Sequence, residues 1–205
     1  MPSVGTRSFL TLSALTGLIG AFVYPLLSYF LIDELGVQPM FIGVYMVSVT
    51  LSGLMVSQFL GRRSDKGYSP RKMYMLANLG IILALAVYIN IHWFAAVLAA
   101  GICFMAFGNA SIPQMLTLSR QWANQRSIDI TLFNAQIRAS ISFAWMLGPP
   151  IAFILVASMG FSGAFSIAMI AATLGILFVW LMIPEQPPAA PHDKSADSSK
   201  TPISF

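Results

Sequence analysis

Several polar side chains lie within the long apolar stretches of this sequence, where such residues are costly and often functional, and six polar or aromatic residues there are candidates for binding a solute. They are Tyr24, Asn109, Gln114, Arg138, Ser142 and Trp145. Hydroxyl, amide and indole groups of this kind can hydrogen-bond a polar solute held between helices. The sequence shows no nucleophile beside a base, no phosphate-binding glycine loop and no His, Cys, Asp or Glu spacing suited to a metal. We therefore predict a solute-binding cavity, not an enzyme active site, and expect no cofactor and no metal.

Arg138 is the most costly of these groups, because an Arg at the centre of a bilayer costs at least about 2.5 kcal/mol on insertion scales. No Asp or Glu lies midway along the same apolar stretches. Arg138 therefore either faces a water-filled cavity or reaches back to the membrane surface beside Asp129. We favour the cavity. For Ser142 the simpler alternative is a hydrogen bond to its own helix.

The composition predicts an integral membrane protein that positions these groups on helices. The 205 residues are 57% hydrophobic and 9% charged, whereas soluble domains carry about 25% charged residues. Long apolar stretches predict an all-α protein with six transmembrane helices, because unpaired backbone is not tolerated in lipid. The predicted spans are residues 8–32, 41–60, 73–91, 94–116, 128–158 and 163–183. The first stretch is too long for a signal peptide, whose apolar region has about 7–15 residues.

The charges of the connecting segments predict the orientation. All eleven Lys and Arg fall on one side if the chain crosses six times, whereas the opposite loops carry only Asp33, Glu34 and His92. Because basic residues accumulate in cytoplasmic loops, both termini are expected in the cytoplasm. The basic residues flank the membrane and form no surface for nucleic acid. Residues 184–205 are rich in Pro, Ala, Ser and Lys and predict a disordered cytoplasmic tail.

The loop between the second and third spans carries the most recognisable motif. Its residues are Gly61, Asp65, Lys66, Gly67, Arg71 and Lys72. They resemble the loop 2–3 signature of the major facilitator superfamily, which runs Gly, three residues, Asp, a basic residue, then Gly and a basic pair. Here the second Gly follows directly, and the basic pair comes later, after Pro70. The resemblance implies a conformational latch, in which Asp65 caps a helix or pairs with a cytoplasmic Arg.

Within the fifth span, the segment that begins at Arg138 and ends at Gly148 and Pro149 resembles the Gly-Pro motif of antiporters in that superfamily. Two successive prolines remove backbone donors from the helix. The motif then marks either a flexible point for alternating access or a static kink, and the sequence leaves both open. The Arg that proton-coupled members carry in the fourth helix is absent.

Residues 36–39, 112–114 and 138–150 resemble the bacterial sugar efflux transporter family more closely. The resemblance covers residues 8–183 and implies half of a major facilitator fold, a 3+3 inverted repeat. It implies export of sugars or sugar-like compounds across the bacterial inner membrane by proton antiport. Our hypothesis is that Trp145 offers a stacking face for the sugar in the predicted cavity. The expected partners are the lipid bilayer, a sugar-like solute, and a second half or a second copy of the chain.

The sequence leaves two alternative functions open. One is a multidrug efflux carrier of the same superfamily, although no span has the central carboxylate that a cation would need. The other is a truncated membrane protein without transport activity. The family has twelve helices, and this chain stops within what resembles its central linker.

Overall fold

The computed structural model describes residues 5–65, 67–126 and 128–183, and these residues form helices and short connections without any strand. The helices are α1 (Thr6–Asp33), α2 (Pro39–Asp65), α3 (Pro70–Asn90), α4 (Phe94–Asn124) and α5 (Ile130–Met182). Each of the five is long and apolar enough to cross a bilayer. The predicted all-helical class is therefore confirmed for the described residues, with five such helices where the sequence predicts six spans. The predicted tail at 184–205 lies outside the described residues.

Helix α1 is largely buried, and it packs most extensively against α5. Small residues allow this close approach. A β-carbon at Gly17 would lie 3.1 Å from the Ile141 Cα atom, and one at Gly148 would overlap the side chain of Ala21. Close backbone contact through small residues is the usual way in which helices associate in lipid. This contact fixes the position of the first part of α5 against α1.

Helix α5 consists of two segments that meet at Gly160, whose φ of 71° and ψ of 178° are not helical. Phe153 before the break contacts Tyr29 near the end of α1. Further along the second segment, a β-carbon at Gly175 would lie 3.0 Å from the hydroxyl of Tyr74, at the start of α3. The chain therefore reverses direction at Gly160, within the turn that the sequence predicts at residues 159–162. Only glycine adopts such a positive φ without strain.

Helix α4 is irregular. It contains a π-helical turn at Gly101–Met105 and a bend at residues 109–110, after which Ser111–Asn124 is regular α-helix. The sequence predicts a polar loop at residues 119–127, and this is wrong for residues 119–124, because the helix continues to Asn124. The reason is tertiary packing: Trp122 is buried, with its ring centroid 4.8 Å from that of Phe9 and 5.6 Å from that of Phe133.

The π-helical turn packs against α2 and α3. Gly101 leaves space for Tyr45, since a β-carbon there would lie 2.8 Å from the tyrosine hydroxyl oxygen. The buried hydroxyls of Tyr45 and Tyr88 are hydrogen-bonded at 2.6 Å. This pair joins α2 to α3 at the level of the π-helical turn of α4. It thereby fixes the part of α4 that precedes Asn109.

Candidate functional site

Asn109 is the meeting point of three helices. It lies at the bend of α4, where the hydroxyl of Tyr24 on α1 donates a hydrogen bond to its Oδ1 atom. Its amide nitrogen packs against Gly53 on α2, where a β-carbon would overlap the amide. Tyr24 and Asn109 were predicted from the sequence, and the structure brings them together. Gly53 was missed, because a glycine among the small residues of a membrane helix gives no distinguishing signal.

Trp145 extends this group onto α5. Its ring is stacked on that of Tyr24, with the centroids 6.2 Å apart and the planes inclined by 14°. Gly20 lies beneath both rings, and a β-carbon there would be 3.4 Å from the indole. Trp145 is 37% exposed and Tyr24 is half-buried. The result is a flat aromatic surface that is open on one side and continues into the amide of Asn109.

Arg138 and Ser142 lie on the same face of α5 as Trp145. The spacing of four and then three residues places all three on one side of a helix, and all three are exposed. Within the described part of the chain, Arg138 has no hydrogen bond or ion pair. Asp129 instead caps its own helix, with its Oδ1 atom accepting from the backbone N–H groups of Thr131 (2.9 Å) and Leu132 (3.2 Å). The guanidinium is therefore available at one edge of the open face.

Gln114 does not join this group. It is 4% exposed, and its Oε1 atom is buried without a partner among the described residues. It lies beyond the bend in α4 and does not line the cavity beside Tyr24 and Asn109. The sequence identified it correctly as a polar residue within a span. The sequence did not show which side of α4 faces the other helices.

The motif between α2 and α3 is described only in part. Gly67 has a φ of 86°, so the second glycine of the motif occupies a left-handed turn. Arg71 donates a hydrogen bond of 2.6 Å to the backbone oxygen of Trp180, which ties the loop to the end of α5. Gly61 has open space around it. The Asp65 side chain lies outside the description.

Two further basic positions complete the motif. Lys66 is among the residues that are not described, and Lys72 is exposed in the first turn of α3. The latch implied by the resemblance therefore stays a prediction.

The Gly-Pro segment of α5 is helical. Pro149 lies within continuous helix, and the residue of α5 with non-helical backbone angles is Gly160. Gly148 has a packing role against Ala21.

A hollow of ≈ 390 Å³ lies at the C-terminal end of α1, between Tyr29, Asp33, Phe153 and Phe161. Beside it, His92 and Glu34 lie 3.5 Å apart, at an exposed position between α1 and the loop that precedes α4. Among the residues that the structure describes, no group of three or more His, Cys, Asp or Glu could hold a metal ion.

Comparison with known proteins agrees with the resemblance found in the sequence. The sequence profile of the Major Facilitator Superfamily matches residues 9–204. Sugar efflux transporter C of Escherichia coli (strain K12) is 34% identical over 177 residues, which cover 86% of this chain and 45% of that protein. Sugar efflux transporter A of Dickeya chrysanthemi is 33% identical over 189 residues, covering 91% of this chain and 48% of that protein. The chain thus spans about half the length of these curated relatives, and the predicted resemblance is confirmed.

Proposed function

We propose, since this chain belongs to the Major Facilitator Superfamily, that it forms one half of a carrier that exports sugars or sugar-like compounds. The observation that carries the proposal is the open surface formed by Tyr24, Asn109 and Trp145. The names of the relatives, which are sugar efflux transporters, support the same solute class.

The chemistry of this surface suits a sugar. A sugar ring has an apolar face of C–H groups, which can lie on the exposed indole of Trp145, and a rim of hydroxyl groups. Asn109 uses its oxygen to accept from Tyr24, and a side-chain amide also has two N–H donors for solute hydroxyls. Ser142 and Arg138 lie along the same face of α5 and offer further polar contacts. Trp145 thus supplies the apolar contact, and the three polar side chains supply the hydrogen bonds.

The chain in this proposal crosses the bacterial inner membrane six times as a 3+3 inverted repeat, with both termini in the cytoplasm. At about 1.5 Å per residue, the 53 residues of α5 would measure about 80 Å, whereas the hydrocarbon core is about 30 Å thick. The reversal at Gly160 supports two crossings within α5. The ten Lys and Arg outside the spans all fall on one side in this arrangement, which supports the orientation.

A second six-helix bundle, from a separate chain or a second copy, completes the carrier in this proposal. Helix α2 exposes large apolar side chains such as Met55 (73% exposed), and α5 exposes Phe143 (60%). The substrate site of the superfamily lies between two such halves. No Asp or Glu lies midway along a span of this chain. If transport is proton antiport, we therefore expect the second bundle to supply the titrating carboxylate.

A chimaera tests the proposal, because a relative can supply the second bundle. Residues 1–183 replace the matching part of Sugar efflux transporter C from E. coli, and efflux of radiolabelled sugars is measured from loaded proteoliposomes. We expect sugar efflux that depends on residues of this chain. Export of lipophilic cations but not sugars would instead favour a multidrug carrier. If a correctly inserted chimaera transports neither class, the chain is a membrane protein without transport activity.

A further inference from the structure

A small cavity lies directly behind the Tyr24–Asn109 pair, between α1, α3 and α4. Its polar lining consists of Thr16, Tyr24, Asn109 and Ser111, and the rest is apolar. The space open to the centres of water molecules is ≈ 30 Å³. About 10–15 Å³ of such space is enough for one water molecule. The cavity therefore has room for about two.

Polar groups on the α4 side and on the α1 side of this cavity still have hydrogen-bonding capacity that the described residues do not use. Asn78 donates to the Ser111 Oγ atom at 3.0 Å, and the hydroxyl proton of Ser111 has no acceptor among the described residues. The Oδ1 atom of Asn78 is also without a partner in that part of the chain, although Asn78 is fully buried. Buried polar groups are rarely left unpaired. The Ser111 hydroxyl thus lacks a hydrogen-bond acceptor, and the Asn78 Oδ1 atom lacks a donor.

The α1 side offers acceptors. Thr16 donates to the Leu12 carbonyl at 2.7 Å and lies 2.9 Å from the hydroxyl of Tyr74. Since the Thr16 proton is used, Tyr74 is the donor in that bond, and one lone pair of Thr16 remains. Tyr24 uses its proton on Asn109, so its oxygen can also accept. A hydroxyl oxygen has two lone pairs.

We propose that this cavity is a water-binding site, in which one or two molecules accept from the Ser111 hydroxyl and donate to the oxygens of Tyr24 and Thr16. Water is both donor and acceptor, which matches the unused groups. A metal cation does not match them, since the lining has no carboxylate and presents an O–H donor. The bound water connects the Tyr24–Asn109 pair on the open face to the Asn78–Ser111 pair in the interior. It thereby holds α1 and α4 together behind the open face.

Methyl groups that line the cavity report on this water directly. Ile81 and Met105 both line it, and they are 5% and 1% exposed. In protein with ¹³C-labelled Ile and Met methyl groups, in detergent, we expect NOE and ROE cross-peaks between water and these two methyls. Ile137 and Met115 are matched controls, since both are fully buried and neither lines the cavity. Absence of the cross-peaks at Ile81 and Met105 would overturn the proposal.

Two variants separate bound water from exchanging hydroxyl protons. Val23 also lines the cavity, and Val23→Ile adds a methyl group there while all four polar groups stay in place. We expect it to abolish both cross-peaks, and their persistence would assign them to hydroxyl protons and refute the water site. Ser111→Ala, which adds no atoms, is the second variant. It should weaken the Met105 cross-peak by removing the donor to the water, and an unchanged intensity would also count against the proposal.

Discussion

The ring of Trp145 lies nearly parallel to that of Tyr24, with the centroids 6.2 Å apart. Tyr24 in turn donates a hydrogen bond to Asn109. A continuous series of contacts therefore joins α5, α1 and α4, and its members come from positions 24, 109 and 145 of the sequence. A change at any one of the three should affect the other two.

The first prediction concerns the stacking face of Trp145. In the chimaera, Trp145→Ala should lower the rate of sugar efflux about tenfold, since an aromatic contact contributes about 0.5–1.5 kcal/mol beyond its area and 1.4 kcal/mol is a factor of ten. Trp145→Phe should retain more activity. Trp180→Ala is the matched control, because Trp180 is exposed on the second segment of α5. Equal efflux from Trp145→Ala and the control would exclude Trp145 from the site.

The second prediction concerns Gly53, which packs against the amide of Asn109. Gly53→Ala should displace that amide and reduce sugar efflux while the protein remains in the membrane. Gly43→Ala on the same helix is the control, because nothing lies within 4 Å of a β-carbon there. Efflux and membrane content are measured for both variants. If both transport at the parental rate, the Asn109 amide does not contact the solute.

The third prediction concerns the close contact of α1 with α5. Gly148→Ala should destabilise the protein by about 1–3 kcal/mol, since a β-carbon there overlaps Ala21 in a packed interior. The thermal unfolding midpoint in detergent measures the effect. Ala21→Gly in the same chain should restore much of the loss by returning the space. Gly61→Ala, with open surroundings, should change little. A Gly148→Ala protein as stable as the parent would contradict this account of the contact.

The fourth prediction concerns the hydrogen bond between Tyr45 and Tyr88. Tyr45→Phe leaves one buried hydroxyl without a partner, at a cost of about 1–3 kcal/mol. Adding Tyr88→Phe removes that stranded group. The double variant should therefore lose less stability than the sum of the two single variants, as a double-mutant cycle by thermal unfolding would show. Additive losses would mean that the two hydroxyls do not interact.

The fifth prediction concerns the orientation of the chain. With Cys103 replaced by Ala, Ser162→Cys beside the reversal at Gly160 should react with a membrane-impermeant maleimide added to intact cells. Gln125→Cys, which is exposed between α4 and α5, should react only after the membrane is opened. The opposite pattern would invert the proposed topology.

Much of the fold follows from the sequence because hydrocarbon imposes a simple rule: long apolar stretches must be helical. The predicted span at residues 8–32 corresponds to α1 (Thr6–Asp33), and the span at 73–91 corresponds to α3 (Pro70–Asn90). The end of α4 could not be predicted in this way. Residues 119–124 are polar enough for a loop, and they remain helical because Trp122 packs on aromatic rings that are distant in the sequence.

The candidate site was predictable in its residue types but not in its grouping. Tyr24, Asn109 and Trp145 were identified as polar or aromatic groups within spans, and they lie together. Gln114 was identified on the same grounds and lies elsewhere. Five residues turn a regular helix by about 140°, so Gln114 faces a different side of α4 from Asn109. The sequence does not show which of these sides faces α1, because that depends on how α4 packs in the bundle.

Protection of Ser142 by solute tests the central claim most directly. Ser142 is exposed and lies about one turn from Trp145 on the same face of α5. In the chimaera without Cys103, the rate of maleimide labelling of Ser142→Cys is measured with and without the exported sugar, and Ser162→Cys serves as the control. If the open face of this chain binds sugar, labelling of Ser142→Cys slows as the sugar concentration rises, whereas the control is unaffected. Equal labelling rates at Ser142→Cys with and without a sugar that the chimaera exports would contradict the account.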